Sequence, residues 1–158
     1  MQLTSSAFKD GGSIPSKFTC EGEGINPELS ISGTPPNAKT LVLIMDDPDV
    51  PASVRKDQMW DHWVVFNIPP TTTKIPEHSP SFGTPGKNTG GGLTYYPPCP
   101  PDREHRYFFK LYALDCALTL TKGATKAEVE RAMQGHILQQ TQLMGRYLKN
   151  IFNRPVDK

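Results

Sequence analysis

The sequence has few cysteines, and their arrangement excludes two classes of small protein. Its 158 residues include three cysteines, Cys20, Cys99 and Cys116, an odd number without a CxxC pair. This pattern argues against a secreted disulfide scaffold and against a zinc ribbon. We therefore expect reduced thiols, no disulfide required for stability, and a cytoplasmic protein.

Long apolar runs and an excess of one charge are also missing. No segment reaches the roughly 20 apolar residues of a membrane-spanning helix, and the N-terminus MQLTSSAFKDGG lacks the pattern of a signal peptide. Seventeen Lys and Arg against 16 Asp and Glu give a formal net charge of +1, so no global field attracts nucleic acid or anionic membranes. We expect neither an integral membrane protein nor a nucleic-acid binder, and any charged ligand must be held by a local site.

Proline and glycine, in contrast, are abundant. The length fits a single domain over residues 1–158, large enough for its own core. Sixteen prolines and 13 glycines separate short apolar runs at the spacing typical of β-strands. Strands are predicted at Phe18–Cys20, Leu29–Gly33, Thr40–Asp46, His62–Ile68 and Arg106–Asp115. The third and fourth are almost continuously apolar, which predicts coverage on both faces of a mainly β protein.

Helix is predicted only after Thr125. Thr125 and Glu128 form a capping-box pattern that is followed by apolar residues at helical spacing. Gly135 divides this region, and a second helix is predicted to carry Leu143 and Tyr147. We expect the helix pair to cover one open side of a β-sandwich.

Acids, histidines and a tyrosine stand at the ends of the predicted strands. The stretch DDPDVP places Asp47 and Asp49 two residues apart, so both side chains share a face if the strand continues through Pro48. His62 begins the next strand, and His105 and Tyr107 again share a face. Their convergence beside Pro/Gly-rich loops predicts a small polar pocket.

Each of these residues also has a purely structural interpretation. A buried imidazole needs only two hydrogen-bond partners, so His62 could be a satisfied core residue, and His105 could be a residue of the rim. His78 and His136 are interpreted as structural or solvated, because neither has an acid, thiol or second histidine at a useful spacing. Trp60 is interpreted first as a packing residue that could also line a pocket.

Three blocks of the sequence, in this order, resemble a known family. DDPDVP, MWDHWVVFNIP and YYPPCPPDREHRYFF are similar to the signature blocks of the phosphatidylethanolamine-binding proteins, also called Raf-kinase-inhibitor-like proteins. AMQGHILQQTQLMGRY resembles the C-terminal helices of the shorter, bacterial-type members. The resemblance implies an antiparallel β-sandwich with short C-terminal helices and, at one end, an anion pocket that holds phosphate, acetate or a phosphoethanolamine head group.

The resemblance also assigns residues to that pocket. The expected ligand-binding residues are Asp47, Asp49, Pro51, Trp60, His62, Tyr95, Cys99, Pro100, His105 and Tyr107. His62, His105, Tyr107 and the backbone N–H groups of the Cys99 loop are expected to donate to the ligand. Asp47 and Asp49 are expected to hold the histidines as imidazolium ions or to accept a proton of the ligand.

The loop before Cys99 departs from the family pattern GYxGPCPP. Thr94 and Pro97 stand where glycines are usual, and proline fixes φ near about −65° and removes an N–H donor. We expect a stiffer loop with one donor fewer, and a narrower or differently shaped pocket.

The sequence is consistent with three functions. The first is a non-enzymatic protein that binds a small anion without a cofactor; the resemblance further suggests modulation of a kinase or protease, and a homodimer. The second is a hydrolase that uses Asp, His and Tyr as base and oxyanion donor, although no GxSxG motif or activated nucleophile is visible. The third is a metal site built from two histidines and a carboxylate. We expect the first function and no stoichiometric transition metal, because Asp47 and Asp49 are assigned to hydrogen bonding.

Overall fold

Two β-sheets and one short α-helix make up residues 1–150, the part of the chain that the computed structural model describes. The strands are β1 (Gln2–Thr4), β2 (Gly12–Ser13), β3 (Leu29–Ser32), β4 (Thr40–Asp47), β5 (Trp60–Ile68), β6 (Lys74–Ile75), β7 (Thr84–Pro85), β8 (His105–Leu114) and β9 (Ile137–Tyr147), with helix α1 (Lys126–Met133) between β8 and β9. The prediction of a mainly β fold is confirmed. Within the described residues no helix has the length and apolar character needed to cross a bilayer.

The two sheets pack around one core. The larger sheet has six strands in the order β2-β9-β8-β4-β5-β7, and the smaller has three in the order β1-β3-β6. Leu29 and Ile31 of the smaller sheet belong to the same buried cluster as Leu43 and Phe109 of the larger. The arrangement is that of a β-sandwich.

Strand β4 lies in the middle of the larger sheet and is buried along its whole length. Leu41, Leu43 and Met45 face the core between the sheets, whereas Val42 and Ile44 face a second apolar cluster that includes residues of α1. The nearly continuous apolar run in the sequence therefore reflects burial on both faces.

The capping box is formed as predicted. The Thr125 hydroxyl accepts from the Glu128 N–H at 3.2 Å, and the Glu128 carboxylate accepts from the Thr125 N–H at 3.0 Å. Helix α1 therefore begins at the position predicted from the capping box.

The predicted second C-terminal helix is wrong. Leu143 and Tyr147 lie in β9, which pairs with β8 along almost its whole length. Both are buried, while Gln142 and Arg146 beside them are exposed. Because Leu143 and Tyr147 are four positions apart, they satisfy both a helical and a strand period, and only the pairing with β8 decides between them.

The predicted strand Phe18–Cys20 is also wrong. Residues Ser16–Phe18 form a single 3-10 turn, preceded by Pro15 at φ −59°. The Thr19 hydroxyl donates to the Ser16 carbonyl at 2.8 Å and closes this turn. A side chain that bonds its own backbone competes with strand pairing.

The expectation of three reduced thiols is wrong as well. Cys20 and Cys99, which are 79 positions apart, form a disulfide with a Cα–Cα distance of 5.4 Å, and Cys116 is the free cysteine. The prediction of a cytoplasmic location rested in part on reduced thiols and loses that support, since disulfides persist mainly in oxidising compartments.

Candidate functional site

A pocket of about 230 Å³ lies where β4 ends and its two neighbours begin. Because β4 is antiparallel to both β5 and β8, its last residues lie beside the first residues of each. The pocket is lined by Asp47, Val50, Val54, Trp60, His62, Tyr96, Cys99, Pro100, Pro101, His105 and Tyr107. Antiparallel pairing thus brings together strand ends that are distant in sequence.

His105 is buried between two carboxylates. Its Nδ1 lies 2.6 Å from Asp47 Oδ2, and its Nε2 lies 2.6 Å from Asp102 Oδ1. Burial alone would lower the pKa of His105, but the hydrogen bonds and charges of the two carboxylates outweigh burial and raise it. His105 is therefore an imidazolium whose two N–H groups both donate to protein, and it has no N–H left for the anion that it was expected to bind.

Asp49 does not line the pocket. Its carboxylate accepts from the Arg106 backbone N–H at 2.8 Å and from the Arg106 guanidinium at 2.8 and 2.9 Å, and these contacts lower the pKa of Asp49 despite its burial. The strand ends at Asp47 and turns at Pro48, so the two acids do not share a face. Asp49 instead ties the turn after β4 to the start of β8.

His62 offers a hydrogen-bond acceptor at the pocket. Its Nδ1 lies 2.6 Å from the Tyr96 carbonyl oxygen, which can only accept, so Nδ1 carries the proton. Burial lowers the pKa of His62 and favours the neutral ring. The Nε2 atom of such a ring is an acceptor, in contrast to the donor role expected from the sequence.

Two buried donors have no hydrogen-bond partner among the described residues, the Tyr107 hydroxyl and Trp60 Nε1. The Tyr107 ring is fully buried, with its centroid 5.2 Å from that of His62 and 6.4 Å from that of His105. Burial raises the pKa of Tyr107 far above its ordinary value, so the hydroxyl keeps its proton. An unpaired buried donor costs roughly 1–3 kcal/mol, and both groups are therefore suited to a ligand that accepts.

The proline-rich loop forms another wall of the pocket. Tyr96 packs against the rings of Trp60 and His62, at centroid distances of 5.4 and 5.7 Å, and its N–H donates to the His62 carbonyl at 2.9 Å. The disulfide of Cys99 and the buried Pro100 anchor the loop further along. The loop is thus held to β5 at one point and to the segment around Cys20 at another.

Tyr95 and Pro51, both expected in the pocket, are not among its lining residues. The Tyr95 hydroxyl donates to the Phe18 carbonyl at 2.8 Å, and its ring packs on Trp63. Tyr95 borders a separate cavity of about 530 Å³. Adjacent residues of an extended segment point to opposite sides, and nothing in the dipeptide Tyr95–Tyr96 indicates which ring turns to the pocket.

Asp102 and Asp47 form a cage of two carboxylates around His105. Asp102 was not predicted from the sequence. It stands three positions before His105 in the stretch DREH, a spacing that could have suggested a local ion pair. Val50 and Val54 were missed as well, and no sequence signal marks an apolar residue as part of a ligand wall.

Comparison with known proteins identifies the family of this chain. The family model for phosphatidylethanolamine-binding protein matches residues 4–148. The chain belongs to the phosphatidylethanolamine-binding protein family. The matched range contains every residue of the pocket.

Relatives of this family occur in bacteria and archaea. A UPF0098 protein of Chlamydia trachomatis is 51% identical over 150 residues, covering 95% of this chain and 100% of that protein. A UPF0098 protein of Methanothermobacter thermautotrophicus is 50% identical over 153 residues, covering 93% of this chain and 98% of that protein.

Solved structures of the family share the fold. The crystal structure of a phosphatidylethanolamine-binding protein homologue from Chlamydia trachomatis has a TM-score of 0.92 at 51% identity, covering 94% of this chain and 97% of that chain. Escherichia coli YbcL, described as a member of the mammalian family, has a TM-score of 0.83 at 27% identity, covering 94% of this chain and 98% of that chain. The family resemblance and the sandwich fold predicted from the sequence are confirmed.

Proposed function

We propose that this family member is a non-enzymatic binding protein for a small, singly protonated anion, with a phosphomonoester head group such as phosphoethanolamine as the representative ligand. The observation that carries the proposal is a donor and an acceptor on neighbouring rings of the pocket, the Tyr107 hydroxyl and His62 Nε2, with the ring centroids 5.2 Å apart. One phosphate oxygen accepts from Tyr107, and the P–O–H group donates to His62. A fully deprotonated phosphate has no proton to donate. The lone pair of one of its oxygens would then face and repel the lone pair of His62 Nε2.

The charges around the pocket favour a monoanion or a zwitterion over a dianion. His105 carries one positive charge between the negative carboxylates of Asp47 and Asp102, so this cage has one negative charge in excess. Arg103 lies 3.7 Å from Asp102 on the exposed side, where solvent screens its effect. A dianion would be repelled most, whereas the ammonium group of phosphoethanolamine would be attracted.

The same geometry weakens the hydrolase alternative. The sulfur of Cys99, which lines the pocket, is bonded to Cys20 and is therefore not a free nucleophile. Both ring nitrogens of His105 are engaged by carboxylates. The proposal therefore assigns binding rather than covalent catalysis to the pocket.

Modulation of a kinase or protease, which the family resemblance implies, remains part of this proposal. Val54 and Tyr96 lie at the pocket with 53% and 37% of their surface exposed. Exposed apolar groups beside a ligand are suited to contact with a partner that recognises the occupied pocket. The homodimer suggested by the resemblance likewise stays a prediction.

Calorimetric titration with two matched esters tests the proposal. Phosphoethanolamine can donate from its singly protonated phosphate, whereas ethanolamine O-sulfate has the same shape and no proton to give. At about pH 6, near the second pKa of a phosphomonoester, we expect the phosphate ester to bind at least about tenfold more tightly, the scale of one hydrogen bond to a charged group. Tyr107→Phe should weaken both esters.

Tyr112→Phe is the matched control, because it removes a hydroxyl from the opposite face of β8, outside the pocket. It should leave both affinities unchanged. Equal affinities for the two esters, or unchanged binding in Tyr107→Phe, would contradict the proposal.

A further inference from the structure

Three residues that metals commonly bind lie together far from the pocket. Asp115, Cys116 and His136 follow the last residues of β8 and precede β9, and one potential ligand atom from each lies within 4.8 Å of the other two. The pocket is at the other end of β8, a strand of 10 residues, so about 30 Å separates the two places. The proposed anion binding makes no use of this cluster.

Backbone contacts hold the three residues in place. The Asp115 N–H donates to the His136 carbonyl at 3.0 Å, and the His136 N–H donates to the Met133 carbonyl, at the end of α1, at 2.9 Å. The Thr40 hydroxyl donates to the Cys116 carbonyl at 2.7 Å. The backbone on both sides of the cluster is therefore positioned by the sheet and the helix.

The side chains combine three kinds of donor atom. His136 Nδ1 lies 2.8 Å from Asp115 Oδ1, and each of the two side chains is 46% exposed. Cys116 is free of the disulfide and packs partly against the apolar cluster beneath α1. The cluster thus offers a nitrogen, a sulfur and an oxygen, with solvent on one side.

We propose that Asp115, Cys116 and His136 form a surface site for a borderline divalent transition-metal ion, with zinc as the representative. Thiolate, imidazole and carboxylate are the ligands of zinc sites, and three protein ligands leave the fourth tetrahedral position to water. When the metal binds, the thiol proton passes to solvent, and the His136 ring carries its proton on Nε2, which leaves the lone pair of Nδ1 for the metal. This proposal departs from the expectation that the chain carries no stoichiometric transition metal, which was based on the assignment of Asp47 and Asp49 and did not consider these three residues together.

The histidine and the aspartate need only a small movement to bind a common ion. Bonds of about 2.0–2.1 Å from zinc to nitrogen and oxygen at a tetrahedral angle require a nitrogen–oxygen distance of about 3.3 Å. The present distance between His136 Nδ1 and Asp115 Oδ1 is 2.8 Å, so the pair opens by about half an ångström. The C-terminus of α1 at Met133 carries partial negative charge, which favours a cation close by.

The site would join the two ends of the connection between β8 and β9. Residues 115–136 leave the larger sheet after β8, form α1 and return to the sheet at β9. A bound ion would link the start of this connection to its end. Metal binding should therefore raise the thermal midpoint of the whole protein by mass action.

Cobalt(II) and zinc titrations test the site. The untagged full-length chain is used without reductant under anaerobic conditions, after a thiol assay has shown one free thiol per chain, as the disulfide requires. We expect one cobalt ion per chain, a thiolate-to-cobalt charge-transfer band, and displacement of cobalt by an equal amount of zinc. Zinc should raise the thermal midpoint, whereas magnesium should not.

Single substitutions identify the ligands. Cys116→Ser should abolish the charge-transfer band, and His136→Gln and Asp115→Asn should each weaken zinc binding at least about tenfold, since outer-shell changes alone cost 10–100-fold. His78→Asn is the control, because it changes an exposed histidine elsewhere and should leave cobalt binding intact. Equal melting of all variants in metal-free buffer shows that they fold.

Two results would overturn the proposal. One is the absence of a charge-transfer band in the unmodified chain at saturating cobalt. The other is stoichiometric zinc binding that survives in Cys116→Ser, since the metal would then be held by other residues.

Discussion

At the scale of single residues, burial and neighbouring groups determine the protonation state of the two histidines of the pocket. Burial lowers the pKa of His62, and its Nδ1–H faces a carbonyl. The carboxylates of Asp47 and Asp102 raise the pKa of His105 although burial opposes them. One ring therefore favours the neutral form that accepts a hydrogen bond, and the other favours the cation whose two donors are both engaged.

The pH dependence of binding should follow the ligand rather than the histidines. As pH falls through about 6, phosphoethanolamine gains the proton that His62 accepts, so its affinity should rise. Because burial lowers the pKa of His62, the ring stays neutral to a lower pH than an ordinary histidine, and affinity should fall once it gains a proton.

Calorimetry between about pH 5 and 8 measures this dependence, with ethanolamine O-sulfate, whose sulfate does not titrate in this range, as the reference. The sulfate ester should show no rise between pH 8 and 6. Parallel profiles for the two esters would assign the pH dependence to the protein and contradict the acceptor role of His62.

The cage of His105 should make stability depend on pH. The raised pKa of His105 means that its contribution is fully present below its unfolded value of about 6.5 and is lost as pH rises through the folded value. Asp102→Asn should therefore lower the thermal midpoint most near pH 6 and least well above the folded pKa of His105.

Thermal melts across this range give the comparison. Asp57→Asn is the control, because that carboxylate is exposed and pairs with Arg55 rather than with a histidine. The cost of this control change should not vary with pH. A constant cost for Asp102→Asn would mean that His105 is not charged in the folded protein.

At the scale of elements, the loop that carries Tyr96 owes its position to a covalent bond. Cys99 is joined to Cys20, and the Cys20 N–H donates to the Pro98 carbonyl at 3.0 Å. The disulfide therefore connects a wall of the pocket to the segment that follows the 3-10 turn. Loss of this link would act on stability and on the pocket together.

Removal of the disulfide should destabilise the protein by about 2–5 kcal/mol, because the bond closes a long loop in the unfolded chain. The double variant Cys20→Ser/Cys99→Ser, in urea melts, should show this loss and weaker binding of phosphoethanolamine. Cys116→Ser in metal-free buffer is the matched control and should retain both properties. Unchanged stability of the double variant would restore the original expectation that no disulfide is required.

The error at β9 belongs to the same scale. Leu143 and Tyr147 are consistent with a helix or a strand, and the resemblance of the surrounding segment favoured a helix. Pairing with β8, from His105 opposite Tyr147 onward, decided the matter, because a long antiparallel ladder satisfies the backbone N–H and C=O groups that the two strands turn toward each other. Local pattern was insufficient here because both periods fitted.

At the scale of the whole molecule, β4 organises the protein by separating two apolar clusters. One lies between the sheets and the other beneath α1. The pocket lies at one end of the larger sheet, and the Asp115–Cys116–His136 cluster lies at the other end of β8. The two sites share no residue, so changes at one should leave the other intact.

Much of this architecture could be predicted from the sequence alone. The apolar runs gave β4, β5 and β8, the capping box gave the start of α1, and the three motif blocks gave the family and most of the pocket lining. These signals are local, because side-chain alternation, helix caps and motifs each depend on residues a few positions apart.

The tertiary structure decided the contacts between distant segments. It paired Cys20 with Cys99, placed His105 between Asp47 and Asp102, and brought His136 to Asp115. The protonation of each histidine followed from those neighbours and from burial. No local pattern encodes which segments meet, because that depends on packing both sheets around one core. The hydrogen bonds and protonation states of the pocket are therefore determined only by the folded structure.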